Sequence, residues 1–90
     1  MFVIVVYDIS SVRLQGRIRN FLRRFLNHIQ LSVFDGELDP SQAKEIELFL
    51  KDQNYNDGEY TIMYTISFHG KVDRNIFGKP KDLRYDENII

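Results

Sequence analysis

FVIVVY, residues 2–7, is an unbroken run of β-branched and aromatic residues, and Asp8 follows it directly. Such a run predicts a central β-strand that is covered on both faces. An acid at its end lies at the rim of the sheet, where the carboxylate keeps contact with water. The chain is therefore expected to begin with a central strand that delivers one carboxylate to a sheet edge.

The residues after Asp8 predict an amphipathic helix that continues to about residue 27. Ser10 and Ser11 can cap its N-terminus. The apolar residues that recur at helical spacing are Leu14, Ile18, Phe21, Leu22 and Phe25. This element should pack one face against the sheet.

Charge is distributed unevenly along the chain. The net charge of −1 hides five arginines and no acid in residues 11–27, and eight acids against two lysines in residues 35–60. At about 100° per residue, Arg13, Arg17 and Arg24 fall on one flank of the first helix and Arg19 and Arg23 on the other. A basic helix is either a solvated face or a surface that binds phosphates. The acidic stretch should face away from any nucleic acid.

Residues 29–38, IQLSVFDGEL, are typical of strand material. Their alternation predicts Ile29, Leu31 and Val33 on one face, and Gly36 is expected at a bulge or turn. A βαββαβ topology requires two strands before the next helix, and residues 28–39 are barely long enough for them. One strand must therefore be very short, or a bulge must divide the run.

A second helix and a long strand complete the predicted core. Asp39 is the expected N-cap, with Pro40 at the first helical position and Gln42 completing a capping box, and the helix should end near Asp52. Residues 59–68, EYTIMYTISF, alternate as a half-buried strand. One face carries Tyr60, Ile62, Tyr64, Ile66 and Phe68, and the other carries Thr61, Met63, Thr65 and Ser67.

This order of elements predicts an α+β, ferredoxin-like βαββαβ sandwich with an antiparallel sheet and both helices on one face. Ninety residues form a single domain, residues 1–90. A core this small covers little of a chain that is 43% hydrophobic, so we expect a homodimer through the helix-free face. After Gly70 the chain becomes charged and irregular, and its tail is either loose or a strand that a partner chain completes.

Asp8 is the sharpest candidate for chemistry. Mg²⁺ prefers carboxylate oxygens and usually keeps several waters beside one or two of them. The alternative is that Asp8 simply ends the strand or caps the first helix. A two-fold axis near Asp8 would let two copies share a metal.

Other residue classes offer less. Tyr7, Phe34, Tyr60 and Tyr64 could stack on bases, although core or interface roles are the alternative. His28 and His69 lack metal-ligand spacing, and we expect neither to be catalytic. The absence of cysteine excludes disulfides, thiolate zinc sites and cysteine nucleophiles.

The apolar N-terminal run lacks a preceding basic segment and is interrupted by Asp8, so we expect a cytoplasmic protein without membrane spans.

Four stretches in this order resemble the CRISPR-associated protein 2 family. They are VIVVYDIS at residues 3–10, FLRRFL at 21–26, QLSVFDGEL at 30–38 and the alternating strand at 59–68. The strand that ends in Tyr-Asp and the Gln-x-Ser-Val-Phe-x-Gly signature are the specific elements. The resemblance covers essentially residues 1–68.

The resemblance implies a ferredoxin-like homodimer whose C-terminal segment, about residues 75–90, often adds a strand to the partner protomer. It implies Asp8 as the Mg²⁺ ligand and catalytic carboxylate, with Tyr7 and Phe34 beside it. It also implies basic residues on the first helix, where Arg17 matches, whereas Gln15 departs because arginine or lysine is frequent there. The nucleic-acid-binding residues expected from the helix are Arg13, Arg17, Arg19, Arg23 and Arg24.

Two functions follow from the resemblance. The first is a Mg²⁺-dependent endonuclease of single-stranded RNA or double-stranded DNA, active or vestigial, that takes part in spacer acquisition in antiviral defence. The second is a non-catalytic adaptor that holds prespacer DNA and bridges integrase subunits. A regulatory dimer that binds a small ligand is a third reading, which no motif favours.

Overall fold

Two helices and five strands make up the described part of the chain. The computed structural model describes residues 1–81. Its elements are β1 (Phe2–Asp8), α1 (Val12–Leu22), β2 (Asn27–Gln30), β3 (Val33–Glu37), α2 (Pro40–Lys51), β4 (Tyr60–Ile66) and β5 (Val72–Gly78). None of the helices in these residues is long and apolar enough to cross a membrane.

The five strands form one sheet in the order β2-β3-β1-β4-β5, and each neighbouring pair is antiparallel. The first four strands have the ferredoxin-like arrangement, with β1 at the centre. The predicted α+β fold class is therefore confirmed. β5 extends the sheet beyond β4.

The core lies between the sheet and the two helices. Alternation along β1 turns Val3, Val5 and Tyr7 toward the helices. Among the described residues, the largest fully buried side chains are Val3, Val5, Ile18, Leu22, Phe34, Ile46, Leu50, Thr61 and Met63. α2 begins with the predicted capping box between Asp39 and Gln42.

The opposite face of the sheet has no helix over it and is largely apolar. Pairing register and alternation place the following side chains there: Phe2, Ile4 and Val6 of β1, Val33 of β3, Ile62, Tyr64 and Ile66 of β4, and Val72 and Ile76 of β5. Most of them are half-buried or exposed in the single chain. We call this surface the helix-free face.

The segment between the helices does contain two strands, and one of them is very short. β2 has four residues, its register shifts between His28 and Gln30, and Leu31 and Ser32 form the turn to β3. Leu31 is therefore 91% exposed in a turn and does not share a strand face with Ile29 and Val33 as predicted.

Gly36 is neither a bulge nor a turn, so that prediction is wrong. It lies inside β3, opposite Val3. A Cβ at this position would stand 3.2 Å from Cδ2 of Leu26. A larger residue here would push the Leu26 side chain aside by a few tenths of an ångström, because this core leucine packs directly on the strand.

The first helix ends at Leu22, earlier than predicted. The amides of Arg24 and Phe25 bond to the carbonyls three residues before them, 3.2 and 3.0 Å away. This tighter turn still leaves the Phe25 ring 5.3 Å from that of Phe21. The apolar spacing continues past the end of the helix, which is why the sequence pattern overestimates its length.

Residues 72–78 form a regular strand, so the expected irregular segment after Gly70 is wrong for this stretch. β5 pairs with β4 over its whole length, from Val72 opposite Ile66 to Gly78 opposite Tyr60. An edge strand tolerates charged side chains, which hide its alternation in the sequence. Of the predicted tail, residues 75–78 belong to β5, and residues 82–90 lie outside the described part.

Candidate active site

Asp8 is the last residue of β1 and pairs with Tyr60 of β4. Alternation places its side chain on the helix-free face, in line with Ile4 and Val6. The side chain is exposed, and no hydrogen bond or ion pair from residues 1–81 engages its carboxylate. Asp8 therefore offers a carboxylate that the folded chain itself does not neutralise.

A cleft of about 660 Å³ opens beside Asp8. It lies between the end of β1, the inner flank of α1 and the β2–β3 hairpin. Its lining residues are Tyr7, Asp8, Ile9, Gln15, Arg19, Arg23, His28, Leu31 and Ser32. One acid and two arginines thus share a single surface depression.

The five predicted arginines do not act as one group. Arg19 and Arg23, from one flank of the predicted helix, line the cleft. Arg13 and Arg17 are exposed on α1 outside it. The Arg24 guanidinium carbon lies 5.3 Å from the ring centroids of both Phe21 and Phe25, a cation–π geometry away from Asp8.

Tyr7 and Phe34 are placed beneath the cleft. Phe34 is fully buried and Tyr7 is 7% exposed, so neither ring has a free face for a base in this conformation. The Tyr7 hydroxyl donates to the Leu31 carbonyl at 3.0 Å. Burial raises its pKa above the ordinary value of 10.0, while the positive charges of Arg19 and Arg23 act in the opposite direction. These two residues support the cleft from below.

His28 is a cleft residue that the sequence did not indicate. Its ring stacks on Phe34, with centroids 4.3 Å apart and an interplanar angle of 10°. Nδ1 lies 3.1 Å from Nη2 of Arg23, and Nε2 lies 3.2 Å from the Leu31 carbonyl oxygen. Because a guanidinium only donates and a carbonyl only accepts, these partners fit a neutral ring protonated on Nε2. His28 therefore orients Arg23.

Gln15 also faces the cleft, and its amide donates to the Ile9 carbonyl. At position 15 the resemblance leads us to expect arginine or lysine. This chain instead has a neutral side chain that binds the backbone next to Asp8. No local sequence motif marks Gln15 or His28 as a residue that lines the cleft. The register that sets His28 opposite Phe34 could reveal it, but this register is a property of the folded sheet.

Glu59 holds the backbone segment that follows Asp8. It is only 2% exposed, and its carboxylate accepts hydrogen bonds from the backbone of Asn56, Ser10 and Ser11 and from the Ser10 hydroxyl. The bonds from Asn56 and Ser11 are the main reason that its pKa lies below the ordinary 4.5. No local sequence motif marks this residue.

A depressed pKa makes Glu59 a source of pH-dependent stability. Its contribution is fully present above pH 4.5, the unfolded value, and is lost as the pH falls through the lower folded-state pKa. We expect Glu59→Gln to lower the free energy of unfolding at pH 7 and to converge with wild type in strong acid. Urea unfolding of both proteins across pH 2–7 measures this, and a pH-independent difference would contradict it.

Comparisons with known proteins place the chain in a family. The model of "CRISPR associated protein Cas2" matches residues 1–73. This chain is a member of the Cas2 family. The resemblance drawn from the Tyr-Asp strand and the Gln-x-Ser-Val-Phe-x-Gly signature is confirmed.

Cas2 relatives match nearly end to end. "CRISPR-associated endoribonuclease Cas2 2" of Archaeoglobus fulgidus is 33% identical over 89 residues, 99% of this chain and 96% of the relative. "CRISPR-associated endoribonuclease Cas2" of Nanoarchaeum equitans is 38% identical over 86 residues, 93% and 91% of the two chains. A solved structure described as "Crystal structure of cas2" has a TM-score of 0.60 and 37% identity, covering 92% of this chain and 82% of its own.

Proposed function

We propose that this Cas2 protein is a CRISPR-associated, Mg²⁺-dependent endonuclease that acts on single-stranded RNA or double-stranded DNA as a homodimer. The observation that carries the proposal is Asp8, an exposed and unpaired carboxylate at the mouth of a cleft that contains Arg19 and Arg23. The relatives from Archaeoglobus fulgidus and Nanoarchaeum equitans are named as endoribonucleases, which supports the same activity.

The candidate ligands fit Mg²⁺ if each of two chains contributes its Asp8 carboxylate. No group of three or more His, Cys, Asp or Glu side chains within residues 1–81 is arranged to hold a metal. Mg²⁺ needs only one or two carboxylates beside its waters. Asp8 from each of two copies meets that need.

The helix-free face supports the homodimer. Its central side chains are apolar and half-exposed in the single chain, and a second copy of the same face would cover them. Because Asp8 lies at the end of this face, packing about a two-fold axis near Asp8 would bring two Asp8 carboxylates together. Dimerisation and metal binding are thus one proposal.

Each part of the cleft has a task in cleavage. Mg²⁺ would supply positive charge that activates water and stabilises the charge developing on the scissile phosphate. Asp8 would hold that cation at the cleft mouth. Arg19 and Arg23 would bind flanking phosphates, and the His28–Phe34 stack would keep Arg23 oriented.

The activity is tested by incubating purified protein with labelled single-stranded RNA and double-stranded DNA, in Mg²⁺ and in EDTA. Cleavage in Mg²⁺ that EDTA abolishes is expected. Cleavage that persists in EDTA, or no cleavage of either substrate, would contradict the proposal.

The arginines provide a second test because the structure divides them. We expect Arg19→Gln and Arg23→Gln to weaken nucleic-acid binding by about 10-fold each and to reduce the salt dependence of binding. Arg13→Gln and Arg17→Gln remove the same charge from α1 outside the cleft and serve as matched controls. Fluorescence anisotropy at several salt concentrations measures both quantities. Equal losses in the two pairs would contradict a role for the cleft.

The scarcity of carboxylates favours a second candidate function. Asp8 alone provides only one carboxylate ligand per chain for a catalytic metal, whereas the exposed arginines on α1 suit the binding of a duplex. In this alternative the homodimer is a non-catalytic adaptor that holds prespacer DNA and bridges integrase subunits during spacer acquisition. Duplex affinity that falls with salt, survives Asp8→Asn and is unaccompanied by cleavage would support the adaptor.

A further inference from the structure

Glu59 lies directly before β4, buried among backbone amides. Its Oε2 accepts from the Ser11 amide at 2.8 Å, the Ser10 amide at 3.1 Å and the Ser10 hydroxyl at 3.2 Å. Its Oε1 accepts from the Asn56 amide at 2.8 Å. Four donors thus converge on a side chain that is 2% exposed.

Three of these donors belong to the link between Asp8 and α1. Ser11 is the N-cap of α1, and its hydroxyl accepts from the Leu14 amide at 3.2 Å. The first turn of α1 contains no acid of its own. Glu59 therefore supplies the negative charge that favours this helix start, although it lies 48 residues from Ser11 in the sequence.

The backbone of Glu59 is itself held in place. Its carbonyl accepts from the Lys79 amide at 2.8 Å, and its amide donates to the Asn56 carbonyl at 2.9 Å. A Cβ on Gly78, whose φ is +108°, would lie 2.6 Å from the Glu59 carbonyl oxygen. Only glycine permits this approach, so the end of β5 packs directly on Glu59.

The next residue connects this frame to the site. Tyr60 pairs with Asp8, so Asp8 is bracketed by the β1–β4 ladder on one side and by the Ser10–Ser11 segment on the other. The ladder ends at Asp8, and Glu59 provides the following attachment points. Glu59 thus binds the backbone segment that follows Asp8 and directly precedes the residue that pairs with Asp8.

We propose that Glu59 is a positioning residue that fixes the Ser10–Ser11 segment and thereby holds Asp8 at the mouth of the cleft. Its effect on catalysis rests on the proposed endonuclease function. Its effect on the Ser10–Ser11 segment is independent of that function. Glutamine keeps only one of the two oxygens, so part-buried amides of the segment lose their acceptor and the segment must move to reach water.

The test compares Glu59→Gln with two controls in the full chain. Asp57→Asn removes the same charge from an exposed position two residues away. Asp39→Ala removes the capping box of α2 and lowers stability without touching the Asp8 segment. Ser10→Ala deletes one hydrogen bond to Oε2 and is a milder variant that folds if Glu59→Gln does not.

Two readouts are measured at a temperature at which every variant is folded. Amide hydrogen exchange at Ser10 and Ser11 is expected to accelerate by at least about 10-fold in Glu59→Gln, less in Ser10→Ala, and not in the controls. The kcat of Mg²⁺-dependent cleavage is expected to fall by about 10-fold or more, with KM changed by less than about twofold.

Unchanged exchange at Ser10 and Ser11 in Glu59→Gln would overturn the proposal, and so would an equal loss of kcat in Asp39→Ala. If wild type shows no cleavage that depends on Asp8, the endonuclease function fails. In that case hydrogen exchange still decides whether Glu59 fixes the segment, so the two failures are distinguishable.

Discussion

Asp8→Asn is expected to reduce Mg²⁺-dependent cleavage by at least about 10²-fold while leaving the fold intact. Asparagine keeps the size and one oxygen of the side chain but removes the charge that a hard cation needs. Because the Asp8 carboxylate is exposed and has no partner within residues 1–81, the free energy of unfolding should change by less than about 0.5 kcal/mol. Asp8→Asn is thus expected to lose cleavage activity while its free energy of unfolding stays nearly unchanged.

The measurement uses wild type, Asp8→Asn and Asp73→Asn side by side, each in Mg²⁺ and in EDTA. Asp73 is an exposed acid on β5, so its variant carries the same charge change outside the cleft. Urea unfolding of the same preparations reports stability. Cleavage that is equal in wild type and Asp8→Asn would assign the activity to a contaminant and would favour the adaptor.

Ile4→Glu is expected to convert the proposed homodimer into a folded monomer. Ile4 lies on the helix-free face of the central strand, between Asp35 of β3 and Tyr64 of β4. A glutamate here would bury an unpaired charge next to Asp35 in the interface, twice per dimer. A buried, unpaired charge costs about 3–5 kcal/mol, so two of them per dimer should raise the dimer dissociation constant by about 10⁴-fold or more.

Light scattering after size exclusion measures the result, because each chain has a mass of 10.7 kDa and the dimer twice that. Leu48→Glu is the matched control, since Leu48 is 53% exposed on α2, in the helical layer. Cleavage should be lost together with the dimer, because a monomer presents one Asp8. A dimer that survives Ile4→Glu, or that both variants disrupt equally, would place the interface elsewhere.

Local patterns in the sequence predicted much of the architecture. The apolar run before Asp8 placed β1 at the centre of the sheet, and the spacing of Asp39, Pro40 and Gln42 predicted the start of α2. The helical wheel put Arg19 and Arg23 on one flank, which is the flank that lines the cleft. These features depend on side chains within a few residues of one another, where backbone geometry alone sets which of them share a face.

Other local patterns were misleading where packing intervened. Gly36 resembles a turn residue but lies inside β3, where it pairs with Val3 and the Leu26 side chain packs closely over it. Of the two roles open to Phe34, base stacking and core packing, this conformation shows the second, since Phe34 is fully buried under His28. The charged stretch after Gly70 does not look like a strand, but β4 offers it a complete pairing edge. In each case a distant partner determined the outcome.

The sequence by itself thus determined the order of the elements, the ferredoxin-like class and the exposed end position of Asp8, because hydrophobic periodicity and capping act over short distances. Only the tertiary structure decided that His28 orients Arg23 and that Glu59 holds Ser10 and Ser11, 49 and 48 residues away. Such contacts depend on which strands become neighbours and in what register. Those choices are made when the sheet assembles, since a shift of one residue would turn every side chain to the opposite face.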